Sequence, residues 1–122
     1  MANIAEIAKL VLERTKEGRL AWEGTADENS YLATLGNQSV RISRGSLAGD
    51  EYHFFSVLNK DGREIETLST TPDDAYSNWI LEHVYATPID KNTLPIIFQL
   101  ARRRALEVDK ELDELAKVLN AR

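Results

Sequence analysis

A chain of 122 residues, 43% hydrophobic and 29% charged, has the size and make-up of one folded domain around one core. It holds no cysteine, which excludes disulfides, thiolate metal sites and cysteine nucleophiles. A net charge of −5 weighs against general affinity for polyphosphate surfaces such as nucleic acid; no stretch is apolar for long enough to span a bilayer, and the first residues lack a basic-then-apolar leader, so a cytoplasmic protein without membrane partners is expected.

At the N-terminus Ile4, Ile7, Ala8, Val11 and Leu12 recur at three- and four-residue steps and predict a helix over residues 3–17. Asn3 and Glu6 have capping-box spacing, and Gly18 can take the left-handed conformation where the helix stops. From residue 20 to residue 68 the pattern changes to short β-rich runs: Leu20–Glu23, Tyr31–Leu35, Ser39–Arg44, Tyr52–Leu58 and Arg63–Leu68. Gly36-Asn37, the 45–50 loop and Lys60-Asp61-Gly62 separate them, and such short connections imply an antiparallel meander of four to five strands. Val40 and Ile42 should face inward with Arg41 outward. Tyr52–Leu58 carries large apolar groups on both alternating sets, so both of its faces require cover.

Thr71-Pro72-Asp73-Asp74 starts a helix over 72–86: Thr71 can cap, Pro72 suits the first turn and the two aspartates complement the helix dipole. Tyr76, Trp79, Ile80, His83 and Val84 share one of its faces, and Pro88 ends it. A long helix over 93–120 follows, in which Ala101, Ala105, Val108, Leu112, Leu115 and Leu119 form a heptad seam. The expected fold class is therefore α+β. A meander is flanked by an N-terminal helix and by C-terminal helices, the last one long, in a single domain over 1–122.

The segment 12–22, with Thr15, Gly18, Leu20 and Trp22, together with Ser39–Ser43 and Leu100–Asp109, resembles small, largely uncharacterised bacterial proteins built as helix, β-meander and terminal helix. The resemblance covers most of the chain except 71–93. It implies the fold and brings no activity, cofactor or site residue with it, and it makes 71–93 read as a segment particular to this chain.

Arg102, Arg103 and Arg104 stand in succession, and with Arg41 and Arg44 they offer a weak nucleic-acid surface. Successive helical residues point about 100° apart, however, and Glu107 lies within pairing reach of Arg103 and Arg104, so ordinary surface ion pairs account for them. The same helix is basic early and acidic late, so a second copy laid antiparallel would set Arg102–Arg104 against Glu107, Asp109, Glu111, Asp113 and Glu114. The rival reading docks the seam on the chain's own sheet or first helix.

His53 and His83, the two histidines, sit among apolar neighbours, where a hydrogen-bonded boundary residue is the ordinary reading. No phosphate-binding loop, dinucleotide fingerprint, hydrolase elbow or metal-ligand spacing occurs, and no cofactor is expected. The leading expectation is a non-enzymatic protein-interaction module: a regulator, inhibitor or immunity-type protein with a protein partner or able to self-associate. Its interaction candidates are Arg102, Arg103, Arg104, Val108, Leu112, Leu115, Tyr76, Trp79, His53 and His83. The alternative is a small-ligand binder or minor enzyme with a pocket between the sheet and 71–93.

Overall fold

The first helix, α1 (Ile4–Lys16), begins as its sequence dictates. Asn3 Oδ1 accepts from the Glu6 N–H at 2.9 Å, and Asn3 Nδ2 donates back to the Glu6 carboxylate at 3.5 Å. Gly18, at φ 72°, ends it, and the Arg19 N–H reaches the Arg14 carbonyl at 2.9 Å. The computed structural model describes residues 3–47, 49–70 and 92–121. The expected helix over 72–86, and with it Tyr76, Trp79 and His83, lies outside the described residues.

Five strands follow: β1 (Trp22–Gly24), β2 (Ser30–Leu35), β3 (Gln38–Leu47), β4 (Asp50–Leu58) and β5 (Glu64–Thr70). They pair antiparallel in chain order, which makes the sheet a simple meander. The β4–β5 turn uses the expected chemistry: Gly62 takes φ 78°, and Asn59 Oδ1 accepts from the N–H groups of Asp61 and Arg63 at 3.0 and 3.1 Å.

Register places Tyr31, Ile42, Phe55 and Leu68 in one row across four strands, all of them buried. On this face pack Ile4, Ala8 and Val11 of α1 and Leu94, Ile97, Phe98 and Ala101 of α2 (Thr93–Ala105). Full burial of such side chains contributes about 1.5–3 kcal/mol each, so this layer holds the fold together. The Phe98 ring lies 5.5 Å from the rings of both Tyr31 and His53, so α2 covers the His53 and Phe55 side of β4.

Among the described residues helices cover one face of β4; on the other, Phe54 is 37% exposed beside Ser43, its partner on β3, and Ser56 of its own strand. One expectation changes. The single helix expected over 93–120 is two helices, α2 and α3 (Val108–Asn120), divided at Leu106 and Glu107. Glu107 adopts φ 51°, the one positive φ outside glycine among the described residues. The conformation ends α2 as a glycine ordinarily would, and for an L-residue it costs roughly 1–2 kcal/mol. The Leu106 N–H reaches the Arg102 carbonyl at 2.9 Å, and the Glu107 N–H the Arg104 carbonyl at 3.2 Å. The exposed ion pair Arg103–Asp109 spans the bend, and Lys110 pairs with Glu107 in the first turn of α3.

Candidate functional site

The bend turns α3 away from the core that α2 covers. α3 is strongly amphipathic, yet none of its side chains is buried. Leu112, Leu115, Val118 and Leu119 are each between 53% and 64% exposed, and Leu106 at the bend is 48% exposed. At about 100° per residue, Val108, Leu112, Leu115 and Leu119 form one stripe, Glu111 and Asp109 border it on either side, Asp113 lies further round, and Lys110 and Lys117 fall on the far side. An isolated surface leucine needs no explanation, but a contiguous stripe along a whole helix marks a docking surface.

At the foot of α3 lies a groove of about 660 Å3 between the end of α1, β1 and the end of α2. Lys16, Leu20, Trp22, Leu100, Arg104 and Ala105 are among its walls. Trp22 is fixed there: its Nε1 donates to Thr15 Oγ1 at 3.1 Å, and the Thr15 hydroxyl donates to the Val11 carbonyl at 2.6 Å. Among the described residues Arg103 is engaged by Asp109 and Lys110 by Glu107, whereas Lys16 and Arg104 have no ion-pair partner. With Glu23 on the same wall, Lys16 and Arg104 leave the groove basic by a single charge.

Of the expected site residues, Val108, Leu112 and Leu115 come together on the exposed stripe, and Arg102, Arg103 and Arg104 stand exposed at the preceding bend. Arg41 and Arg44 do not join them. Three residues apart on one strand, they point to opposite faces: Arg41 lies 3.6 Å from Glu64 on the open face, and Arg44 lies 4.8 Å over the Phe98 ring on the covered one. His53 is buried beside Phe98, and that burial holds its pKa below the ordinary 6.5; Glu51 opposes the shift and Arg44 reinforces it. It is a boundary residue, and the expected pocket against 71–93 lies outside the described residues.

Sequence reasoning did not find the depression, about 730 Å3, on the open face of the sheet, where Leu32, Phe54 and Leu58 lie among serines, Arg41 and Glu64. Glu64 Oε1 accepts from Ser56 Oγ at 2.6 Å and also from Thr67 Oγ1. These hydrogen bonds, with Arg41 nearby, lower the Glu64 pKa. It also missed Glu107 as the hinge and Lys16 as a groove wall. Neither carries a local signal: Glu107 is a good helix former inside an unbroken heptad, and Lys16 meets Arg104 only through the fold. Among the described residues no group of three His, Asp or Glu could hold a metal ion, and no helix is long and apolar enough to cross a membrane. Comparison with protein-family models, with characterised proteins and with solved structures finds no match for the chain.

Proposed function

We propose that the chain is a cytoplasmic, non-enzymatic protein-interaction module, of the regulator, inhibitor or immunity type, that docks through α3. One observation carries the reading: the most amphipathic of the described helices has no buried residue. Recognition is of the helix-in-groove kind, with Leu112, Leu115 and Leu119 as anchors one turn apart and Glu111 beside them setting the orientation. Burying each leucine contributes about 1.5–3 kcal/mol at most, so three of them support a specific complex once the cost of association is subtracted.

Photo-crosslinking from position 115 tests this in native cell extract. Discrete adducts are expected, with another protein or with a second copy, and Leu112→Asp is expected to abolish them while leaving the fold intact. No adduct from position 115, or adducts indifferent to Leu112→Asp, would overturn the reading.

A further inference from the structure

We infer that the bend at Glu107 is a two-state joint. Beside the bent form the chain has a second state, in which α2 and α3 run on as one helix over 93–120, and salt shifts the balance between them. The inference concerns how the α3 stripe is presented and stands whatever the stripe binds.

The bent form carries a local strain with nothing buried to enforce it. Glu107 sits at φ 51°, a left-handed conformation that a residue with a Cβ disfavours. Such strain persists where surrounding packing over-determines it. Here no residue of α3 is buried, and Leu106 and Glu107 are themselves exposed. α3 also starts without a side-chain cap, so its first N–H groups and the last carbonyls of α2 lack helical partners. A continuous helix would pair the N–H groups of Glu107, Val108, Asp109 and Lys110 with the carbonyls of Arg103, Arg104, Ala105 and Leu106. No glycine or proline stands between Ile96 and Asn120, and the seam from Ala101 to Leu119 keeps its heptad spacing across the bend.

Electrostatics opposes that gain. The bend creates two helix ends, and the charges flanking it suit both: Arg102, Arg103 and Arg104 lie in the last turn of α2, Asp109 and Glu111 in the first turn of α3. Joining the helices removes those favourable end effects. The ion pairs offset one another: Arg103 would exchange Asp109 for Glu107, one turn away on the same helical face, while Lys110 keeps Glu107. Added salt therefore weakens chiefly the end charges and favours the continuous form. Straightening brings the α3 stripe into line with Ala101 and Ala105, so the joint changes the direction in which the docking face points.

Distances between two spin labels test the joint. The chain has no cysteine, so Gln99→Cys and Lys117→Cys, both at exposed positions, give two labelling sites. Dilution into unlabelled chain confines the reading to one molecule. In a continuous helix the labelled backbones lie about 27 Å apart, and the bend brings them closer. The wild-type chain is expected to show mainly the shorter distance at low salt, with a population near the longer one that grows at about 1 M salt. Asp109→Asn/Glu111→Gln weakens the acidic end and is expected to raise that population about fivefold relative to the bent one. Glu107→Gly relieves the left-handed strain and weakens the helix interior, and is expected to lower it about tenfold. These three positions are exposed, and cooperative thermal melts verify folding. The same single distance in every sample, short or long, would overturn the joint. So would a long population indifferent to salt and to Glu107→Gly.

Discussion

α2 and α3 are neighbours of equal length, 13 residues each, and both are amphipathic, yet they end in opposite environments. α2 buries Thr93, Leu94, Ile97, Phe98 and Ala101 against the sheet and α1, while α3 buries nothing. The contrast teaches that an apolar stripe states a demand for cover without saying who meets it. What separates the two helices is direction, and direction is set at Glu107, where one left-handed residue ends a stripe that the heptad would have carried on.

The largest expected effect lies on the α2 side. Phe98→Ala is expected to destabilise the chain by about 3–5 kcal/mol in urea unfolding, because it empties the space between Tyr31, His53 and Arg44. Leu115→Ala, the matching truncation on α3, is expected to stay within about 0.5 kcal/mol of the wild type. Comparable losses at the two sites would break the contrast.

Next in size is the groove wall. Trp22→Phe keeps most of the ring but removes the donor to Thr15, and a loss of about 1 kcal/mol is expected in the same assay. Position 107 sharpens the comparison at its source. Glu107→Gly is expected to be more stable than Glu107→Ala by about 1 kcal/mol, since glycine accepts the positive φ freely. The reverse order would mean that the helix runs straight through the bend.

The smallest effect is a pH slope. Burial keeps His53 below its ordinary 6.5, so the unfolded chain binds that proton more readily than the folded one. Its contribution is fully present above 6.5 and drains away as the pH falls below that value towards the lower folded pKa. Arg44 and Glu51 face the ring from the sheet and Phe98 from α2, so acidification charges a site already holding a guanidinium. His53→Leu is expected to flatten the stability profile as the pH falls through 6.5 and below, measured as the difference from the wild type. An unchanged slope would remove His53 from the α2 interface.

Much of the α2 side was legible because its signals are local. The Asn3 and Glu6 cap, the inward Val40 and Ile42 against outward Arg41, and the Asp61-Gly62 turn each depend on residues a few positions apart. The α3 stripe was legible as a stripe, and Val108, Leu112 and Leu115 were named from its spacing alone. Its exposure was not, since that depends on a backbone angle at Glu107 that no residue type announces. The groove was equally hidden: Lys16, Trp22 and Arg104 come from three elements, and only the packing of α1, β1 and α2 brings them together.

Thermal unfolding of Leu112→Asp/Leu115→Asp addresses most directly whether the stripe on α3 serves a partner or the chain's own core. If it serves a partner, a monomeric sample melts within about 2 °C of the wild type, two buried-type leucines having been replaced by charges at no cost to the fold. A fall of ten degrees or so, the response of a core, would contradict it.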